Sequence, residues 1–271
     1  MAAFAGNSVL CRLALDKQGM DPDEFTGLRL LSGALVLCPV FFAKMRTPFR
    51  IDRKSVFSAL ALMGYAWLFS LAYLQLGTGL GALILFAAVQ LTMIGCSALG
   101  GRKISSKEGA GVAFAMGGLI YLLFPGTQEI TFLGAGLMLL SGVCWGMYSV
   151  LGKAEADPSF ATARNFMVLV PVGFYLLYPS LPAIDFKQTG VLLALASGGV
   201  TSGLGYLLWY FLLQKITLPT AAVLQLSVPV IAAFGGLVFS GEPLGARLAT
   251  ASLVILGGIF LTISPKPQPQ T

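Results

Sequence analysis

Charged residues and Pro/Gly breaks divide this chain into ten apolar runs, at roughly 2–15, 24–44, 56–74, 79–100, 106–124, 131–152, 160–180, 188–213, 219–240 and 244–264. About 20 apolar residues carry one helix across a hydrocarbon core, so ten runs absorb about 200 residues and leave short loops. Lipid offers no partner to backbone N–H and C=O groups, so each run must satisfy its own as a helix. Only 10% of the 271 residues are charged, against about 25% in soluble domains. That share cannot cover a soluble globule of this size. The expectation is an all-α integral membrane protein with ten transmembrane helices. A soluble enzyme, a nucleic-acid binder and a disordered chain are excluded. The first run is short for a crossing, so either the native N-terminus is longer or its helix starts below the headgroups. Met1 to Leu15 has no basic stretch ahead of its apolar run and is not read as a signal peptide. The tail from Ser264 is Pro-rich and read as unstructured.

The 17 Lys and Arg orient the spans. Lys44, Arg46, Arg50, Arg53 and Lys54 follow the second run, and Arg102, Lys103 and Lys107 follow the fourth. Lys153, Lys215 and Lys266 fall on the same side. The other side has Lys17, Lys187 and Arg247, with Arg12 and Arg29 near that interface. The first side is therefore expected to be cytoplasmic, with both termini inside. Tight links at Gly77-Thr78-Gly79 and at Lys215 to Pro219 predict antiparallel hairpins between runs 3 and 4 and between runs 8 and 9.

Much chemistry is absent from the composition. Without His there is no imidazole base, relay or ligand. The four cysteines lie in apolar stretches without ligand spacing and read as small buried hydrophobes. No Gly-rich loop ends in Lys-Ser/Thr, so a nucleotide-phosphate loop is rejected. No metal and no cofactor is expected.

The two halves resemble each other. Ser8-Val-Leu-Cys-Arg12 matches Ser149-Val-Leu-Gly-Lys153. Asp21-Pro22 with Phe25 and Arg29 matches Asp157-Pro158 with Phe160 and Arg164. Gly64-Tyr65 matches Gly205-Tyr206, and Gly117-Gly118 with Pro125 matches Gly257-Gly258 with Pro265. The order is kept and the offset drifts by only a few residues. The repeats are read as 1–125 and 126–271, together one transmembrane domain. Five spans per repeat is an odd number, so the second copy enters the bilayer from the opposite face. Inverted repeats let one pattern build an inner and an outer gate around a midplane site, which predicts a transporter.

Three segments carry a family resemblance. They are Asp21-Pro-Asp-Glu-Phe-Thr-Gly-Leu-Arg29, Ala221 to Pro229 followed by Gly241-Glu242-Pro-Leu, and Leu256-Gly-Gly-Ile-Phe-Leu. With these the chain resembles the drug/metabolite transporter superfamily in its ten-span EamA branch, over nearly its whole length. Within it, the nearest functional comparison is the YddG-type amino-acid exporters. The first half departs from the pattern: Gln90 stands opposite Pro229, and Arg102-Lys103 opposite Glu242. The resemblance implies a bacterial inner-membrane exporter whose partners are a small solute and the bilayer, with no nucleic acid and no obligate protein partner.

All eleven carboxylates lie in loops or at span ends. A proton-driven carrier commonly holds an ionisable group inside the bilayer, so passage down the solute's own gradient is expected, the alternative being coupling through a span-end acid such as Asp21 or Glu24. Arg12, Arg29, Lys153 and Arg164 sit near span ends, either snorkelling to lipid phosphates, or lining vestibules where they meet a substrate carboxylate or pair with Asp21/Glu24 and Glu155/Asp157. Gln90 shares a helix face with Phe86, and Gln225 shares one with Pro229. These polar groups, with Asn7, read equally as helix-bridging or ligand-binding. Tyr65, Phe69 and Tyr73 stack along run 3. Tyr206, Trp209 and Tyr210 stack along run 8, and Trp145 and Tyr148 along run 6. They are candidate cavity walls, offering apolar faces and polar tips. Glycines 198, 199, 203 and 205 weaken run 8 midway, where a bend could gate. An intramembrane enzyme lacks its nucleophile–base pair, and a scaffold lacks an effector domain. A cation-exporting multidrug pump would want a midspan acid, and a nucleotide-sugar carrier deep cations. A neutral or zwitterionic amphipathic metabolite fits best.

Overall fold

The computed structural model describes residues 1–45, 52–101, 105–123, 131–213, 224–225 and 227–263. Among these residues the structure is helical, with no strand. The first part of the chain forms α1 (Ala2–Arg12), α2 (Pro22–Lys44), α3 (Arg53–Tyr73), α4 (Thr78–Leu99) and α5 (Ser106–Leu123). The second forms α6 (Phe132–Lys153), α7 (Pro158–Val168), α8 (Val170–Leu177), α9 (Thr189–Ala196), α10 (Gly205–Leu213), α11 (Ser227–Gly235) and α12 (Ala246–Ile263). Wider π-helical turns follow α1 at Leu13–Lys17, join α9 to α10 at Ser197–Leu204, and follow α11 at Gly236–Ser240.

Helix ends fall close to the breaks between apolar runs. Six stretches are long and apolar enough to cross a bilayer: Pro22–Lys44, Arg53–Tyr73, Thr78–Cys96, Phe132–Lys153, Pro158–Leu177 and Thr189–Leu212. Ser227–Ser240 and Ala246–Leu261 are shorter apolar helices. The expected hairpin link at 215–219 lies outside the described residues. So do Arg46, Arg50, Arg102, Lys103, Lys215 and Lys266 of the orientation argument, and Pro125 and Pro265 of the repeat.

The two Asp-Pro pairs have the same local role. Asp21 accepts from the N–H groups of Asp23 (2.8 Å) and Glu24 (3.4 Å). Asp157 accepts from Ser159 and Phe160, both at 3.1 Å. In each case proline follows the cap, where its missing N–H leaves no bond unmade. The seventh run is broken at Leu169 because Pro171 cannot donate to the preceding turn.

Close approach at glycine holds the bundle together. Between lipid-embedded helices the hydrophobic effect is spent, so association rests on van der Waals packing over small residues. A Cβ on Gly142 would stand 2.6 Å from the Leu85 carbonyl oxygen of α4. One on Gly258 of α12 would stand 2.7 Å from the Gly111 carbonyl oxygen of α5. At Gly198 it would overlap the Arg29 carbonyl oxygen and the Ser32 hydroxyl of α2. The outward faces carry large apolar side chains such as Leu35, Phe239 and Leu253, as lipid contact requires.

Candidate functional site

The most unusual group in the interior is Arg29, two turns inside α2 and 1% exposed. Its Nε donates to Ser202 Oγ at 3.1 Å. Its Nη2 donates to the hydroxyls of Tyr65 (3.0 Å) and Tyr206 (3.3 Å). Those tyrosines are the equivalents named by the Gly-Tyr match between the halves, and they meet on one guanidinium nitrogen. The guanidinium carbon also sits 5.0 Å from the Tyr65 ring centre and 5.2 Å from that of Phe69, within cation–π range. Nη1 has no hydrogen-bond partner among the described residues. No carboxylate among them pairs with this cation.

Asn7 of α1 completes the polar cluster. Its Nδ2 donates to the Tyr65 hydroxyl at 3.0 Å. Its Oδ1 accepts from Ser197 (2.5 Å) and Thr201 (3.4 Å). Ser197, Thr201 and Ser202 all lie in the π-helical stretch between α9 and α10. One extra residue per turn re-aims side chains there, and such bulges recur at functional sites. The glycines of that stretch let α2 approach closely enough for Arg29 to reach it.

An aromatic wall adjoins the cluster. Trp145 packs on Tyr65 (4.7 Å between ring centres), Tyr206 (4.9 Å) and Tyr148 (5.4 Å). Phe4 touches Trp145, Tyr206 and Trp209 at 5.8–6.0 Å. The cluster therefore draws on α1, α2, α3, α6, α10 and the stretch between α9 and α10. It offers rings, hydroxyls, one amide and one cation.

Gln90 and Gln225 meet elsewhere, with Gln90 Nε2 donating to Gln225 Oε1 at 3.2 Å. Both are buried, and the bond ties α4 to the segment preceding α11. Phe86 is buried on α4 and takes part in none of the ring or polar contacts of the cluster. Tyr148 donates to Thr162 Oγ1 at 3.3 Å. Tyr210 is buried beside Gly152 at the end of α6. Tyr73 donates to the Thr78 carbonyl at 3.3 Å, away from Arg29.

Ion pairs close the two ends of the bundle. At one end Glu242 accepts from Arg12 Nε (3.2 Å), the Thr78 N–H (2.6 Å) and the Thr78 hydroxyl (3.2 Å). Arg12 Nη1 also donates to the Tyr73 carbonyl at 2.8 Å. The turn that presents Glu242 depends on Gly241, whose φ of +70° favours glycine. At the other end Glu155 pairs with Arg164 (3.4 Å) and Lys54 (3.2 Å), and Lys44 pairs with Asp157 (2.8 Å). Burial opposes ionisation of Asp157, but the Lys44 ammonium and the capping N–H groups outweigh it and hold its carboxyl below the usual range. Lys153 is exposed.

Sequence spacing thus brings Asn7, Tyr65, Trp145, Tyr148, Tyr206 and Trp209 to one place. Arg12 and Arg164 stand at the bundle ends, each in an ion pair. Arg29 does not. Expected at the outer interface, it is buried, because α2 begins at Pro22 and Ser202, Tyr65 and Tyr206 draw the guanidinium inward. Sequence reasoning missed Phe4, Ser197, Thr201 and Ser202. For Ser197, Thr201 and Ser202 the signal was their neighbourhood to Gly198-Gly199 and Gly203; Phe4 carried none. Tyr65→Phe tests the cluster's contribution to stability. It removes the acceptor of two buried donors, so a loss of about 1–3 kcal/mol is expected. A lower unfolding midpoint in detergent would show it, with a smaller drop for Tyr206→Phe, which loses one bond.

The EamA-like transporter family model matches residues 132–264. An uncharacterised protein of Pseudomonas aeruginosa is 44% identical over 98% of this chain and 92% of its own. The threonine/homoserine exporter RhtA of Salmonella typhimurium is 27% identical over 90% of this chain and 83% of its own. A probable amino-acid metabolite efflux pump of the same organism is 25% identical over 90% and 86%. One solved crystal structure covers 96% of this chain and 95% of its own with a TM-score of 0.64 at 18% identity, a likeness of fold. Apolar helices of spanning length, the family match and this set of relatives agree: the chain is a multi-pass membrane protein whose residues 132–264 belong to the EamA-like transporter family.

Proposed function

We propose that this protein exports small amphipathic metabolites, amino acids first among them, from the bacterial cytoplasm by alternating access. In this reading ten spans form two inverted five-helix repeats, 1–125 and 126–271, in the inner membrane with both termini cytoplasmic. The observation that carries it is the buried cluster joining Asn7, Arg29 and Tyr65 of the first half to Ser197, Ser202 and Tyr206 of the second. A site shared between repeats is what inverted architecture provides for.

The packing supports the repeat. Exchanging the halves maps α3 against α6 onto α9 and its π turn against α1, and both pairs are in contact. It maps α4 against α6 onto α11 against α1, again both in contact. Of the remaining large contacts, α5 with α12, α4 with α11 and α2 with α7 and α8 join equivalent spans, whereas α2 against the Ser197–Leu204 turn maps onto the slighter contact of α7 with α3. Gly118 and Gly258, matched in the sequences, both serve the α5–α12 contact. The relatives named as threonine/homoserine exporter and amino-acid metabolite efflux pump favour amino acids as solutes.

No acid of the described ion pairs lies inside the cluster, so flux follows the solute gradient and not the proton gradient. Counterflow of a panel of L-amino acids in vesicles holding only this protein tests the reading, with and without an imposed pH gradient. Exchange of at least one amino acid that survives collapse of the gradient is expected. Exchange of none, or accumulation strictly dependent on the pH gradient, would sink it.

A further inference from the structure

We propose that Arg29 anchors the carboxylate of the carried solute, and that the site selects for this carboxylate and not for an ammonium group. The proposal rests on the exporter reading and names the chemistry that its central cluster recognises: small monocarboxylates, zwitterionic amino acids included.

Charge balance carries the argument. Removing a guanidinium from water is expensive, and a buried cation without a counter-anion retains most of that penalty. Arg29 is 1% exposed, and no carboxylate among the described residues pairs with it. Three hydroxyls and two aromatic rings hold it in place. These soften the cost without neutralising the charge. Three of its five N–H donors are used, and both N–H groups of Nη1 are left over. Either Nη1 N–H can donate a charge-assisted bond to a carboxylate oxygen, stronger than the bonds the guanidinium already makes to neutral hydroxyls. Among the described residues no carboxylate neutralises it, and under the proposal that role falls to the carboxylate of the solute.

The same arrangement decides what the site ignores. A solute ammonium would find hydroxyl and amide groups here but no carboxylate, and it would meet the like charge of Arg29. An amine without a carboxylate is repelled, whereas a carboxylate without an amine loses little. The aromatic wall of Trp145, Tyr206 and Phe4 then takes the apolar remainder. Arg164, the equivalent in the other half, is already paired with Glu155, so this anchor exists in one half only.

The smallest probes that dissect the two charges are L-alanine, propionate and ethylamine. Each is added at equal concentration to the full-length protein in nanodiscs while the unfolding midpoint is followed. L-alanine and propionate should both raise it, and ethylamine should not. Arg29→Lys keeps the charge but loses the Nη1 donors and the planar group that three hydroxyls hold in place, so the apparent affinity for propionate should fall about ten- to a hundredfold. Arg29→Met should abolish the response. If Arg29→Met does not fold, the lysine variant still decides. Stabilisation by ethylamine equal to that by propionate overturns the proposal. So does a midpoint insensitive to both carboxylates, or a full propionate response in the lysine variant. Counterflow on the same proteins separates the two readings. Arg29-dependent binding of propionate without exchange of any amino acid keeps the anchor and removes the exporter. Undiminished exchange in Arg29→Met keeps the exporter and removes the anchor.

Discussion

Gly198→Val should abolish assembly of a transport-competent protein, and even Gly198→Ala should destabilise it by about 3 kcal/mol, the top of the usual overpacking range of about 1–3 kcal/mol. The added Cβ would overlap the Arg29 backbone oxygen and the Ser32 hydroxyl. A backbone oxygen cannot change rotamer, so relief requires α2 and the Ser197–Leu204 turn to move apart. That movement withdraws Ser202 from Arg29 and exposes the guanidinium to an even poorer environment. Control substitutions separate this effect from helix propensity. A Cβ on Gly117 or Gly257 meets nothing within 4 Å among the described residues. Alanine there should be neutral or stabilising by about 0.5–1 kcal/mol, as for any interior helical glycine. Unfolding midpoints in detergent check all three positions. A Gly198→Ala protein as stable as Gly117→Ala would show that α2 does not press on this turn.

Glu242→Ala is the second large effect. The carboxylate serves three donors from α1 and α4, and its side chain is 22% exposed, with Arg12 at 16%. Removing one partner of a mostly buried pair costs about 3–5 kcal/mol. Partial exposure and the remaining Arg12 bonds to the Tyr73 carbonyl and Asp16 reduce this to about 2–3 kcal/mol. Glu242→Gln keeps oxygen and shape but not charge, and should cost about half as much. In a transporter the same bonds close one end of the bundle, so the alanine variant should also favour opening there. Faster labelling of a cysteine placed at Thr78, relative to the native Glu242 background, measures that shift. No change in either stability or labelling would show that the cluster is a surface ornament.

The sequence made the local features legible and left the long-range ones obscure. Apolar runs and Asp-Pro pairs dictate where helices begin, because capping acts over three residues. The match of Gly64-Tyr65 with Gly205-Tyr206 pointed at two tyrosines that share one partner. Arg29 was misread because its position depends on residues 173 and 177 places away. Spacing within α2 cannot say whether its side chain turns to lipid headgroups or to Ser202. The π-helical turn was hidden for a related reason. Glycines 198, 199 and 203 signal a weak point, yet an inserted residue rotates Thr201 and Ser202 onto a face that regular helical periodicity does not assign. Glu242 was visible as part of a family-like link, while its grip on Arg12, 230 residues earlier, was not.

Alternating access through the cluster predicts that its residues face each side of the membrane in turn. Thr201 is 7% exposed and bonded to Asn7 and Ser197, closed to solvent as it stands. A single cysteine at this position, in a chain whose Cys11, Cys38, Cys96 and Cys144 are replaced by alanine, reports the opening directly. The decisive measurement is its rate of alkylation by a membrane-impermeant thiol reagent applied separately to the outer and the cytoplasmic face. The account predicts labelling from both faces, slowed on both by a transported amino acid. Labelling from neither face, or from one face alone whatever solute is present, would contradict it.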